Sequence, residues 1–137
     1  MKAKVKTAEE IEEISKKLKG EGKIIVTTNG CFDILHSGHL YSFEKAKNFG
    51  DILIVLLNSD ESVRKSKGKE RPIISQEERA KILSAISDVD YVVIFNEDRP
   101  FKLLKMIKPD KHIKGRKILS ENGKKEKELV ESFGGEY

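Results

Sequence analysis

Apolar residues recur along the chain in two rhythms. Between Ala8 and Lys19 they fall at Ile11, Ile14 and Leu18, the spacing of one helical face, with acids early and lysines late as the helix dipole favours. Gly20 closes this leader helix. Lys23–Thr28 is instead a short β-branched run that stops at Asn29-Gly30, and Ile52–Leu57 is a second apolar run that stops at Asn58-Ser59-Asp60. Uninterrupted runs of this kind are what parallel strands need when both of their faces are buried. Helical spacing returns between Gly38 and Asn48 through Leu40, Phe43 and Ala46, with Phe49 next and Gly50 as the stop.

The second half repeats the alternation. Ser75 followed three residues later by Glu78 has the form of a capping box and predicts a helix to about Ser87. Tyr91–Phe95 reads as a third strand, Pro100–Ile107 as a helix stopped before Pro109, Lys111–Lys114 as a short fourth strand, and Glu121–Phe133 as the last helix. Strands separated by helices imply parallel neighbours joined by right-handed crossovers. The expected fold is therefore α/β, a Rossmann-like doubly wound open parallel sheet with helices on both faces. In such sheets ligands gather at the carboxyl ends of the strands near the switch in strand order, which would bring 29–33, 58–60, 95–98 and 114–117 onto one rim. The basic stretch Arg64–Arg71 reads as a mobile lid or solvated loop.

Length and composition narrow the class. With 137 residues, the chain is expected to form a single domain, a leader over 1–22 and a core over 23–137. Lys and Arg exceed Asp and Glu by 27 to 23, a small positive excess that suits a phosphate-bearing ligand without identifying one. Cys31 is the only cysteine, which excludes an internal disulfide and a thiolate metal cage and fits a reducing cytoplasm. No apolar stretch approaches membrane-spanning length, and the first residues lead into charge rather than into a signal core, so neither a membrane nor processing is expected. The basic stretch lacks interleaved aromatics, and acids are interspersed at 9–13, 77–78 and 126–131, so no nucleic-acid partner is expected.

The segment Thr28-Asn-Gly-Cys-Phe-Asp-Ile-Leu-His-Ser-Gly-His lies where the first core strand hands over to a helix. His36 and His39 flank Gly38 at the expected helix start, where free N–H groups and the positive end of the dipole favour an anion. The glycine would let a phosphate approach the backbone, and the imidazoles add donors. A histidine near a helix start is often only a surface residue or a cap, and metal ligation is a further reading, but no nearby Cys or acid completes a first shell. Gly30, Asp33, His36, Gly38 and His39 on one strand-to-helix turn favour a polyphosphate.

These residues resemble the HxGH nucleotidyltransferase superfamily and its cytidylyltransferase-like branch, over about residues 23–136. That branch includes glycerol-3-phosphate cytidylyltransferase, archaeal FAD synthetase and the ADP-heptose-forming adenylyltransferase of lipopolysaccharide core synthesis. The strings Thr28–His39, Asn58-Ser-Asp, Arg71-Pro and Glu78-Arg79 are most similar to the last. The resemblance implies transfer of a nucleoside monophosphate, AMP from ATP ahead of CMP from CTP, to a small phosphorylated acceptor such as a sugar 1-phosphate. Mg²⁺ would arrive with the triphosphate, pyrophosphate would leave, and the protein would work as a homodimer.

Residue by residue, the resemblance implies catalytic roles for His36, His39 and Lys47, the last reaching the phosphates. It implies nucleotide contacts from Asn29, Gly30, Cys31, Phe32, Asp33 and Gly38, and from Lys114, Gly115 and Arg116 around the base and ribose, where related enzymes often carry Gly-Gly-Asp or Gly-Asp-Asp. It implies acceptor contacts from Asn58, Asp60, Arg71 and Arg79. Relatives have threonine at the place of Cys31, which reads as packing at the strand end rather than as a nucleophile. Asp33 either orients a histidine or caps the turn, and His112 reads as structural. A non-catalytic nucleotide-binding module would keep the anion site without the acceptor residues, whose presence favours an enzyme. Relatives also continue past the Gly-Gly-Glu stretch into a Ser-Thr-Thr-like segment that opens a helix on the phosphates. Either the chain is shortened or it closes its site differently, and the 137-residue form is expected to bind a nucleotide but turn over slowly or not at all.

Overall fold

A computed structural model describes residues 4–113, 121–132 and 134–135. Five strands, β1 (Val5–Lys6), β2 (Ile25–Gly30), β3 (Ile52–Asn58), β4 (Tyr91–Phe95) and β5 (Lys111–His112), form one sheet in the order β1-β4-β3-β2-β5, and every pairing is parallel. Six helices accompany them: α1 (Ala8–Gly20), α2 (Ser37–Asn48), α3 (Asp60–Lys67), α4 (Gln76–Ser84), α5 (Phe101–Ile107) and α6 (Glu121–Ser132). From β2 the chain steps through β3 to β4 on one side, whereas β5 returns to the other side of β2. The switch in strand order therefore lies between β2 and β5, and the open parallel α/β sheet expected from the sequence is present.

Alternating side chains of the same strands feed two cores, because neighbours along a strand point to opposite faces. Ile25, Ile54, Leu56, Val93 and Phe95 pack with Ile11 of α1, Leu103, Leu104 and Ile107 of α5 and Val130 of α6. Val26, Leu53, Val55, Leu57 and Val92 pack with Phe43 and Ala46 of α2, Ala80 and Leu83 of α4 and Val89. The leader is thus part of the domain. Thr7 starts α1 by accepting from the Glu10 amide while the Glu10 carboxylate accepts from the Thr7 amide, and Ile11 is fully buried.

Two stretches differ from the sequence reading. Val5 and Lys6 add an edge strand beside Val92 and Val93, a pairing too short to leave a pattern. The segment read as a basic lid or loop instead begins in α3, which is started by the Ser59 hydroxyl accepting from the Ser62 amide, anchored by buried Val63 and ended at Gly68, where φ is +101°. Only 68–71 of that stretch lies outside the helix.

The amino ends of the strands are held by carboxylates. Asp51 accepts from the Ile24 amide at 2.7 Å, Asp110 from the Ile25 amide at 2.8 Å and Asp90 from the Leu53 amide at 2.8 Å. All five carboxyl ends, by contrast, open onto the opposite rim.

Since Ile11 packs into the sheet, Ile11→Ala should destabilise the protein by about 2–5 kcal/mol, the range for deleting a buried aliphatic chain. Urea unfolding measures this, and a loss below about 1 kcal/mol would make the leader an appendage rather than core.

Candidate functional site

β2 ends at Gly30 and the chain turns sharply before α2. A side chain at Gly30 would meet the Phe32 ring at 2.9 Å, and Phe32 itself holds a positive φ of 47° that folds its ring back over the strand end. There Phe32 stands edge-on to His39, centroids 5.6 Å apart, and also contacts Phe43 of the core at 5.3 Å. The aromatic residue of the motif thus braces a histidine against the hydrophobic interior.

The two histidines form the start of α2 together. The His36 ring accepts from the Gly38 amide through Nδ1 at 3.0 Å, and the His39 ring accepts from the His36 amide through Nδ1 at 3.2 Å. The rings lie 4.2 Å apart, centroid to centroid. When a neutral imidazole accepts at Nδ1, its proton sits on Nε2, so each ring carries an Nε2–H donor. Burial, and secondarily the neighbouring His36, lowers the pKa of His39 and favours this neutral donor form. Gly38 has a role beyond close backbone approach: a Cβ there would lie 2.7 Å from the His36 ring. The first turn of α2 contains no acid, so its positive dipole end is uncompensated.

Asp33 is used in a way that neither of its two sequence readings anticipated. Its carboxylate accepts from the Ile73 amide at 2.9 Å, the Ile74 amide at 3.0 Å and the Arg71 guanidinium at 3.0 Å, fastening 71–74 to the histidine turn. Arg71 remains 44% exposed, so it still faces solvent at this junction.

Arg79 corrects the role implied for it. The side chain is 1% exposed, and its guanidinium donates to the carbonyls of Ile74, Cys31 and Asn58 and to the Asp60 carboxylate, at 2.6–2.9 Å. Those acceptors come from three separate segments, around Cys31, Asn58–Asp60 and Ile74, so Arg79 joins the rim rather than presenting a charge to an acceptor. Asp60 is engaged in the same pair, and Asn58 donates to the Ser62 hydroxyl and to the carbonyls of Glu97 and Asp98 at 3.2–3.4 Å. The ends of β2, β3 and β4 do meet, as expected, but largely through bonds among themselves.

Lys47 is a second correction. It lies near the carboxyl end of α2, eight residues past His39, which is about 12 Å along the axis at 1.5 Å per residue. Its ammonium pairs with Asp90 at 2.5 Å beside the amino end of β3, on the opposite rim from the histidines. A lysine's apparent motif position carried no information about which end of the sheet it would reach. Cys31 is half-buried and unbridged, and its carbonyl serves Arg79. Lys114, Gly115 and Arg116 lie outside the described residues. Among the described residues no group of three or more His, Cys, Asp or Glu could hold a metal ion, and no helix is long and apolar enough to cross a membrane.

A family model described as Cytidylyltransferase-like matches residues 27–135. The bifunctional protein HldE of Aliarcobacter butzleri is 55% identical over 111 residues, covering 81% of this chain and 23% of its own length. The bifunctional protein HldE of Geobacter metallireducens is 49% identical over 133 residues, covering 97% and 27%. The chain therefore spans about a quarter of the length of the curated relatives it matches. Among solved structures, the lipopolysaccharide core biosynthesis protein of Thermoplasma volcanium superposes with a TM-score of 0.69 at 28% identity, covering 83% of this chain and 91% of that one. A pantoate-beta-alanine ligase from Francisella tularensis shares the fold, with a TM-score of 0.58 at 17% identity, covering 94% and 60%.

Asp33 yields a pH prediction. Partial burial alone would raise its pKa, but the Ile74 and Ile73 amides and Arg71 outweigh that and hold it below the ordinary carboxyl value. A lowered folded pKa gives stability that is present above the unfolded value of about 3.9 and disappears as pH falls through the folded value. Parent and Asp33→Asn should differ most in urea midpoint near neutral pH and converge below about pH 4. A gap unchanged down to about pH 3 would mean that the charge on Asp33 contributes nothing.

Proposed function

The chain belongs to the cytidylyltransferase-like family, and we propose that it is a nucleotidyltransferase joining the AMP part of ATP to a small phosphorylated acceptor such as a sugar 1-phosphate. The observation that carries this reading is the paired imidazoles at the start of α2, each with its proton on Nε2, on the carboxyl rim beside the strand switch. The relatives named HldE and the lipopolysaccharide core biosynthesis protein favour a sugar phosphate as acceptor. ATP is preferred to CTP because Thr28–His39 and Asn58–Asp60 are most similar to an adenylyltransferase.

An oxygen of the acceptor phosphate attacks the α-phosphorus of the triphosphate, the bond to the bridging α,β-oxygen breaks, and pyrophosphate leaves. That oxygen is already nucleophilic, so no covalent enzyme intermediate is needed, and catalysis is alignment plus charge stabilisation. His36 and His39 donate Nε2–H to the oxygens on which charge gathers, and the α2 terminus adds its dipole. Phe32 keeps His39 in place. Arg71, the exposed guanidinium of the implied acceptor set, meets the acceptor phosphate, while Arg79, Asp60 and Asn58 hold the rim that positions it. Donors of this kind suit anions rather than a cation, so Mg²⁺ would be bound mainly by triphosphate oxygens and would neutralise their charge. A homodimer acting in the cytoplasm completes the reading on the strength of the family resemblance.

The direct test incubates the protein with ATP or CTP, Mg²⁺ and a panel of sugar, alditol and flavin phosphates while pyrophosphate release is followed. Release with ATP and a sugar 1-phosphate is expected. A clear CTP or flavin preference would move the chain to another activity of the family, and binding without release in any combination would favour a regulatory module. In the productive pairing, His39→Ala should lower turnover by about 10²–10³ with thermal stability nearly unchanged, the scale of losing one preorganised donor. Turnover within about threefold of the parent would remove His39 from the mechanism.

A further inference from the structure

The sheet face covered by α6 becomes polar toward the site. Along β2 the residues on that face run Ile25, Thr27, Asn29, and the neighbouring strand places His112 beside Thr27 in register. Thr27 and His112 are both fully buried. The Thr27 hydroxyl lies 2.6 Å from His112 Nδ1, and His112 Nε2 lies 3.1 Å from the Asn29 carboxamide oxygen. Glu126, reaching in from α6 and also fully buried, sets a carboxylate oxygen 4.0 Å from the same Nε2 and another 3.7 Å from Arg99. An imidazole in an apolar sheet costs free energy unless its polar atoms are matched, and here both nitrogens meet partners.

The partners also determine which nitrogen carries the proton. Nε2 faces two oxygens that can only accept, the carboxamide oxygen and the carboxylate, so it donates. In the neutral ring Nδ1 then accepts, and Thr27 can supply that proton. With its oxygen held by His112, the Asn29 carboxamide has one fixed orientation, its NH₂ turned away from the imidazole. This pairing spans β2 and β5, the two strands on either side of the switch point.

We propose that His112 is a positioning residue for the nucleotide: it fixes the Asn29 carboxamide at the carboxyl end of β2 so that Asn29 meets the nucleotide in a single orientation. The inference rests on the reading that Asn29 lines the nucleotide end of the site, and it assigns to a buried strand histidine a function that packing alone would not require.

The test compares side chains that differ in where they place a donor. Glutamine puts its amide nitrogen near the position of Nε2, asparagine near that of Nδ1. Using the full chain, calorimetry with ATP and Mg²⁺ and a thermal melt are run on His112→Leu, His112→Gln and His112→Asn. Leucine should weaken ATP binding by about five- to tenfold, the factor one well-placed hydrogen bond supplies. Glutamine should return it to within about twofold of the parent, and asparagine should not. In an Asn29→Ala background, His112→Leu should cause no further weakening, because the two act as one unit.

Equal effects of glutamine and asparagine, losses that add in the double variant, or parental affinity in His112→Leu would each overturn the proposal, even if the melts shift. Should leucine prevent folding, the contrast between glutamine and asparagine decides alone. A parent chain that binds neither ATP nor CTP would sink the proposed function and this inference together, whereas parental binding with unaltered variants sinks only this inference.

Discussion

The carboxyl rim depends on one buried cation. Three backbone carbonyls and the Asp60 carboxylate converge on the Arg79 guanidinium, which has lost almost all contact with water. Removing an arginine from solvent is expensive, and the planar fork recovers that cost only by finding several acceptors in the directions its N–H bonds point. Once it does, the end of β2, the end of β3, the start of α3 and the turn before α4 become one body. The histidine turn inherits its rigidity from this arrangement, since Cys31, whose carbonyl is among the acceptors, sits directly before Phe32.

The sheet is electrically asymmetric from end to end. At the amino ends of the strands, Asp51, Asp90 and Asp110 bind backbone amides, and Lys47 is neutralised there. At the carboxyl ends, imidazole donors, a helix start without acids and a half-exposed Arg71 face outward. On the carboxyl rim, Asp60 is committed to Arg79 and Asp33 to the 71–74 segment, while Glu61 at the start of α3 and Asp98 after β4 stay exposed.

Much of this was legible in the sequence, and the exceptions have a common cause. Ile52–Leu57 could hardly be anything but a buried strand, and Ser75 before Glu78 marked a helix start through local chemistry. The histidine turn was readable because its partners are sequence neighbours. α3 was not, since only Val63 of its eight residues is a large apolar side chain, and its cap and packing had to establish the helix. Arg79 and Lys47 went astray because the destination of a long cationic side chain is set by tertiary contacts, and nothing in its own neighbourhood reveals whether it will face a ligand, a carbonyl or an aspartate. His112 was recognised as structural, but its link to Asn29 depends on the register between β2 and β5, which periodicity cannot supply.

The placement of β1 governs how this domain could be joined to another. Because Val5 and Lys6 run parallel to Val92 and Val93 at the sheet edge, a polypeptide fused ahead of Lys4 would enter on the rim where the strands begin. Such a tether would leave the opposite rim unobstructed, so a second module could be appended without crossing the mouth of the site. A junction placed at Gly22 instead would strip Ile11, Ile14 and Leu18 from the sheet and leave an apolar face bare. The tolerable splice point therefore lies about twenty residues earlier than the start of the family match at residue 27 would suggest.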